Sequence, residues 1–329
     1  MIDSTENESA VFDDKIPVSV IVPCFNNQAF LRDCIGSINS ASRPDEIIVI
    51  DDKSTDGSLA VAHELASEYP NVRICQRTRN GGAAAAREEG IRAARNDWVA
   101  LVDADDFVEE NAVSAAFQNL RLGQADICIW DMWRFDGKNA WPHILLNAKD
   151  FPKTGRQAVV DTLGQWKIHP LGVARKEIYL SAYDQFSEAT INADELLTRI
   201  AFARSNKVVF CKKKYYYRAN MNSTTRTISS KSLTSLRSHI WLLNFAKSYP
   251  EVKPELLGTG AITQAWYFYR KRDLVGTEMA TSALVEFLRE FDLSCHPFQW
   301  LWRYPKHFFI YLALLLVVGK KRTGPYQEG

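Results

Sequence analysis

Over the first 110 residues, short β-branched runs alternate with stretches of helical period. Val18–Val22 is closed by Pro23, Ile47–Ile50 ends in Asp51 and Asp52, and Val72–Cys75 and Trp98–Val102 complete the set. Short apolar runs bounded by turn residues predict strands buried on both faces. Between them the period changes. Phe30, Leu31, Cys34, Ile35 and Ile38 recur at helical spacing behind Asn27, which is placed to cap. Further helices are expected from about Ser58, itself a cap residue, to Glu68, from about Ala83 to Arg95 after Gly81–Gly82, and over Glu109–Leu122, with Asp106 placed to cap the last. Strands alternating with helices of this length predict an α/β fold with a parallel sheet and right-handed crossovers. Such sheets bind ligands outside the carboxyl ends of their strands.

Four polar loops fall at that edge: Pro23–Asn27, Asp51–Gly57, Asn80–Gly82 and Asp103–Asp106. The last is the most telling. "VALVDADDF" (99–107) ends a buried run in Asp103, Asp105 and Asp106. Carboxylates so close repel one another and are costly to desolvate, so a hard divalent cation with oxygen ligands is a simple compensation. Asp51 and Asp52 are not needed to make their turn, and a carboxylate can accept the imide N–H of uracil or thymine. Gly81–Gly82 allow close backbone approach to a ligand, and the helix N-terminus behind them favours anions. Arg87 lies one turn into that helix, where its planar fork can reach a pyrophosphate. No G-x-G-x-x-G occurs, so a Rossmann fingerprint is excluded.

Composition narrows the class. A net charge of +1 on 329 residues argues against an electrostatic nucleic-acid binder. Residues 1–15 are acidic with few apolar positions and read as a solvated tail, without the basic and apolar pattern of a secretory signal. Six scattered cysteines without a C-x-x-C pair read as reduced, buried small residues.

Taken together, "VSVIVPCFNN" (18–27), "IIVIDDKSTDGS" (47–58), "RNGGAAAAREEGIRAA" (79–94) and "VALVDADDF" (99–107) resemble the opening of a family 2 glycosyltransferase of the A-type fold. That resemblance implies a mostly parallel sheet flanked by helices. It also implies a nucleotide-sugar pocket drawn from Pro23, Phe25, Asn27, Asp51, Asp52, Asn80, Gly82, Arg87 and Asp103. Asp103 and Asp105 would hold Mn²⁺ or Mg²⁺. Lys53 stands where the family usually has glycine and is expected to point to solvent. "INADELLTRIAFARSNKVVFCKKKYYYRANMNSTT" (191–225) resembles the family's later segment. The usual Glu-Asp pair is Ala193–Asp194 here, so Asp194 inherits the catalytic base role and Glu195 points elsewhere. Asn220 replaces a histidine that often serves metal or phosphate in the family. His169 is expected to be structural or to contact the acceptor. One of Trp130, Trp133, Trp141 and Trp166 is expected to stack on sugar.

The far end adds a membrane signal. Residues 204–237 are rich in Lys and Arg, and Phe308–Val318 are eleven apolar residues followed by Lys320, Lys321 and Arg322. Eleven cannot span a bilayer, which takes about 20. Trp300, Trp302, Tyr304 and Tyr311 as headgroup anchors, with the basic flank, fit an interfacial helix on an anionic membrane surface, with a buried helix as the alternative. The expected organisation is a tail (1–15), a nucleotide-sugar half (16–110), an acceptor half (111–226) and a helical C-terminal region (227–329) with an interfacial segment at 298–322. The function expected from the resemblance is inverting sugar transfer from a nucleotide-sugar, a UDP-sugar by preference, to a glycan or lipid-linked acceptor in surface polysaccharide synthesis. The setting is the cytoplasmic membrane, peripherally, with no nucleic-acid partner. A catalytically silent nucleotide-sugar-binding subunit and a nucleotidyltransferase are the alternatives.

Overall fold

The computed structural model describes residues 16–40, 43–144, 146–163, 169, 171–185, 193–218, 230–299 and 301–319. The acidic tail, Trp166, Asn220, Trp300 and Lys320–Arg322 lie outside the described residues. The chain divides into two compact units. One comprises Met1–Pro152, Leu171–Leu180 and Val209–Arg218, and the other Lys153–Pro170, Ser181–Val208 and Ala219–Gly329.

The first unit is built on a sheet. β1 (Ile16–Cys24) pairs in parallel with β2 (Pro44–Asp51) and β4 (Trp98–Leu101), and β2 pairs in parallel with β3 (Val72–Gln76). The two-sided burial expected of β-branched runs is realised: Val18, Val20, Ile21, Val22 and Ile47–Ile50 are all buried. α1 (Leu31–Asn39), α2 (Ser58–Glu68) and α3 (Ala83–Ala93) are the crossovers. α3 lies close on the sheet because Gly90 faces it; a Cβ there would meet Ile21 Cγ2 at 2.3 Å. β5 (Phe107–Val108) and α4 (Ala112–Gly123) follow the acidic turn, then β6 (Ile127–Phe135) and the short β7 (Ala140–Pro142) paired to it.

The sheet then departs from simple alternation. β9 (Gly172–Arg175) inserts antiparallel between β4 and β6, which the β/α rhythm of the sequence does not announce. Two reversals restore direction, so β6 runs with β4. Its end, Asp131–Phe135, therefore opens on the same edge as Asp51 and Asp103. β10 (Lys207–Arg218) and β5 complete the order β3-β2-β1-β4-β9-β6-β10-β5, with Tyr216 opposite Phe107. The fold is the expected α/β class, a mostly parallel mixed sheet flanked by helices.

Three cap assignments differ from the sequence expectation. Asn27 receives the N–H groups of Phe30 and Leu31 through its backbone carbonyl, and its side chain does not cap α1. Ser58 Oγ hydrogen-bonds Asp56 and accepts from the Asn27 N–H, tying two loops together. α4 starts at Ala112, and Asp106 is bonded to β10 instead.

The second unit is mainly helical. β8 (Lys153–Thr154) pairs with Lys207 and Val208, and α5 (Gly155–Thr162) opens with a Thr154–Gln157 capping box. α6 (Lys176–Gln185) begins in the first unit and ends in the second, where α7 (Ala193–Arg204), α8 (Ser235–Ala246), α9 (Pro254–Arg270), α10 (Arg272–Val275), α11 (Thr277–Cys295) and α12 (Pro305–Gly319) follow. Phe268, Phe287, Phe291, Tyr311 and Leu314 lie in one buried cluster of this unit. No helix of the described residues is long and apolar enough to cross a membrane.

A buried carboxylate knits the parallel strands. Glu46 on β2 is 2% exposed and accepts from Ser19 Oγ (2.7 Å), Arg73 Nε (2.6 Å) and the Arg95 N–H (3.0 Å). Burial pushes its carboxyl up, but the donors from Ser19, Arg95 and Arg73 outweigh that and hold it below the ordinary glutamate value. A depressed folded value stabilises above the unfolded value of about 4.3 and is lost as pH falls through the folded one. Glu46→Gln should therefore cost about 3 kcal/mol at pH 7, and the gap to wild type should close towards pH 3. Urea denaturation at the two pH values checks this; an equal gap at both would show that the carboxylate charge is immaterial.

Candidate active site

The first two loops of the carboxyl edge are laced together. Asn26, at φ 55°, accepts the Thr55 N–H at 2.8 Å, and the Asp56 carboxylate accepts the Gln28 N–H at 3.2 Å. Pro23 is buried at the strand end, while Phe25 is exposed on the rim. Lys53 is exposed and its backbone sits at φ 65°. That left-handed conformation favours glycine, the residue the resemblance leads one to expect at this place.

Asp51 and Asp52 are adjacent, both buried, and differently used. Asp51 is 1% exposed; Oδ1 accepts the Ser54 N–H at 3.3 Å, and Oδ2 has no hydrogen-bond partner. Asp52 is saturated. It accepts the N–H groups of Gly81 (2.9 Å) and Gly82 (2.7 Å) and pairs with Arg77, which also meets Glu89. Asn80 Nδ2 donates to the Asp52 carbonyl at 3.1 Å. The result is a fixed Asn80–Gly82 loop, with Gly82 at φ 84° leading into α3.

Two carboxylates of the acidic turn after β4 are relieved separately, each by its own donors. Arg87 Nη2 donates to Asp103 Oδ1 at 2.6 Å. Asp106 is buried. Tyr215 Oη donates to its Oδ2 at 2.6 Å and the Arg218 N–H to its Oδ1 at 2.8 Å, while Tyr215 Oη accepts the Asp103 N–H at 3.1 Å. Burial, then the charges of Asp103 and Asp105, push the Asp106 carboxyl well above the usual range, against the pull of these two donors. Burial and the neighbouring Asp106 push the Tyr215 phenol up as well. Asp105 is half-buried; its backbone carbonyl accepts Arg218 Nε at 2.9 Å. The Arg218 guanidinium stands 5.0, 5.1 and 5.6 Å from the rings of Phe30, Phe107 and Phe135 and reaches Asp33 at 3.4 Å. A cation caged by three aromatic faces thus anchors the turn.

Among the described residues no group of three or more His, Cys, Asp or Glu could hold a metal ion. Two carboxylates on one turn are nevertheless the donor set of a cation that completes its shell with substrate phosphates and water, as Mg²⁺ commonly does. Arg77, Tyr215 and Arg218 escaped the sequence reading as site residues. Arg77 stands one residue beyond a strand end, and the Tyr-Arg stretch carries no periodic signal of its role.

Other expected residues lie elsewhere. Asp194 is the second residue of α7 in the second unit, and its side chain and that of Glu195 lie outside the described residues. His169, also in that unit, is buried. Trp130 is core: its indole donates to the Ala112 carbonyl and its ring stacks on Tyr215. Trp133 lies half-buried under Lys214 Nζ at 4.1 Å, and Trp141 is exposed.

Residues 19–179 match the family model for glycosyl transferase family 2. The chain belongs to this family. Glycosyltransferase GlyG of Streptococcus pneumoniae is 27% identical over 64% of this chain and 73% of that protein. The poly(ribitol-phosphate) beta-glucosyltransferase of Bacillus spizizenii is 26% identical over 61% of this chain but only 32% of that longer protein. The crystal structure of S. aureus TarS 1-349 in complex with UDP-GlcNAc superposes with a TM-score of 0.62 at 18% identity, covering 95% of this chain and 93% of that one. This glycosyltransferase therefore shares the A-type fold of TarS.

The clasp on Asp106 predicts a measurable cost in this family 2 enzyme. Tyr215→Phe leaves a buried carboxylate oxygen and the Asp103 N–H short of a partner and should destabilise by about 1–3 kcal/mol. The urea midpoint reads it, and an unchanged midpoint would mean that water replaces the hydroxyl at no cost.

Proposed function

We propose that this glycosyltransferase moves a sugar from a UDP-sugar to a hydroxyl of a glycan or lipid-linked acceptor with inversion, in surface polysaccharide synthesis. The observation that carries the reading is Asp51 Oδ2, a buried acceptor without a hydrogen-bond partner at the same edge as Asp105 and the Arg87–Asp103 pair. Uracil offers an imide N–H that this oxygen would satisfy. TarS, of similar fold, was crystallised with UDP-GlcNAc and with UDP, and the poly(ribitol-phosphate) transferases among the relatives suggest a cell-wall polymer as acceptor class.

In this mechanism Phe25 and Pro23 line the base, Asn27 fixes the first loop, and Asp52 and Asn80 hold the Gly81–Gly82 loop for the diphosphate. The start of α3 and Arg87 favour the diphosphate charge. Asp103 and Asp105 would hold Mn²⁺ or Mg²⁺, which would neutralise charge on the departing diphosphate. Asp194, assigned from the resemblance at residues 191–225, takes the acceptor hydroxyl proton. The acceptor oxygen bonds to the anomeric carbon as the bond to the UDP oxygen breaks on the opposite face. A lipid-linked acceptor places the enzyme peripherally at the cytoplasmic leaflet.

Two measurements test the chemistry. Screening nucleotide-sugars for release of nucleoside diphosphate should find a donor whose turnover requires Mn²⁺ or Mg²⁺, and Asp105→Asn should lower that turnover by about 10²-fold or more while the fold persists. Full activity in excess chelator would reject the metal. Asp194→Asn should still bind UDP but transfer about 10²–10⁴-fold more slowly. An active Asp194→Asn beside a dead Glu195→Gln would move the base by one residue. Tight nucleotide-sugar binding with neither hydrolysis nor transfer in the wild type would point to a silent binding subunit.

A further inference from the structure

α12 carries two apolar faces with different fates. Tyr311 and Leu314 are fully buried in the core of the second unit; Tyr311 donates to Asp292 and its ring lies 6.0 Å from Phe291. This corrects the sequence expectation, in which Tyr311 was a headgroup anchor. It also means that deleting residues 298–329 would strip core side chains. On the other face Phe309 is 69% exposed and Leu316 66% exposed. Seven residues apart, they share one stripe, with Leu312 and Ala313 half-buried between them. Phe298, 57% exposed, sits beside the same helix with its ring 6.3 Å from Phe308.

Charge says what this face is for. Residues 293–327 contain no Asp or Glu and hold Arg303, Lys306, Lys320, Lys321 and Arg322. Arg303, Tyr304 and Lys306 are exposed at the start of α12. An apolar stripe whose own segment carries cations and no acid complements an anionic bilayer, where apolar side chains sink below the headgroups and Lys and Arg meet their phosphates. A second copy of the chain would bring like charges together across a two-fold interface. At 15 residues the helix is about 22 Å long, short of the ~30 Å hydrocarbon core, so it lies along the surface.

We propose that the Phe298–Phe309–Leu316 face of α12 is the membrane-docking surface of this protein, inserting into anionic lipid while Tyr311 and Leu314 hold the helix on its bundle. The inference rests on the reading of a lipid-linked acceptor at the cytoplasmic leaflet.

The test is co-sedimentation of the full chain with phosphatidylglycerol-containing vesicles and with neutral phosphatidylcholine vesicles. Wild type should bind the anionic vesicles, and high salt should loosen it only in part, since apolar insertion is not screened. Phe309→Ser with Leu316→Ser should cut binding by about 10²-fold with an unchanged urea midpoint, because both side chains are exposed. Arg303→Glu with Lys306→Glu should remove the preference for anionic over neutral vesicles. Leu122→Ser, an exposed leucine of the first unit, should change nothing. Undiminished vesicle binding by the serine pair would overturn the proposal. So would a wild-type dimer by light scattering that the serine pair renders monomeric, which would assign the face to a second copy. UDP-sugar hydrolysis without vesicles separates this failure from the other: loss of vesicle binding with intact turnover indicts only the surface, and vesicle binding without turnover indicts only the transferase reading.

Discussion

Like-charge repulsion within the turn after β4 is the constraint around which the first unit is arranged. Three carboxylates in four residues, one of them buried, are unfavourable unless compensating donors are brought to them. Arg87 comes from α3 to Asp103, while Tyr215 and the backbone of Arg218 come from β10 to Asp106. The Arg218 side chain, held between three aromatic rings, ties down the Asp105 carbonyl. More than one hundred residues separate this turn from β10 in sequence. The last strand thus completes a site that the first half of the chain only begins.

That distance explains which parts were legible. Strands β1 to β4 and helices α1 to α3 announce themselves because a two-sided buried strand must be apolar and a crossover helix must repeat its apolar residues at helical period. Asp51, Asp52, Asp103 and Asp105 are visible because carboxylates directly after such strands need a reason. β9 is not visible: "GVAR" (172–175) is too short for a period and reads the same in either direction. Nor is the role of Tyr215 and Arg218, since a long-range hydrogen bond leaves no trace in local spacing. The three misassigned caps share one cause. Asn27, Ser58 and Asp106 are good cap residues that found stronger partners in neighbouring loops.

The C-terminal helix shows a related limit. An unbroken run of apolar residues says that a helix avoids water but not what it meets instead. Packing decides that. Residues 311 and 314 face the bundle while 309 and 316 face outward, so the buried-helix reading describes one side of α12 and the proposed lipid contact concerns the other. A helix that is apolar all round can serve both a core and a surface because the two stripes occupy different angles of the same cylinder.

The same accounting separates scaffold from ligand groups among the aspartates of the carboxyl edge. Asp52 has two backbone N–H groups and a guanidinium, and Asp106 has a phenol and a backbone N–H. Displacing those donors to admit a nucleotide would undo the loop or the turn, so both carboxylates act by shaping what surrounds them. Asp51 differs. Its Oδ2 is sealed from water without a hydrogen-bond partner, a condition that costs free energy until a donor arrives. A pocket can carry that cost where the donor is its ligand: in the proposed function the unpaired oxygen would discriminate for a base with an N–H at that position. A cytosine ring, which presents a bare acceptor nitrogen there, would leave the same oxygen unsatisfied and facing a lone pair. Under the proposed UDP-sugar reading, selectivity among pyrimidine nucleotides would follow from one unpaired oxygen, with the neighbouring saturated carboxylate keeping the loop in place for it.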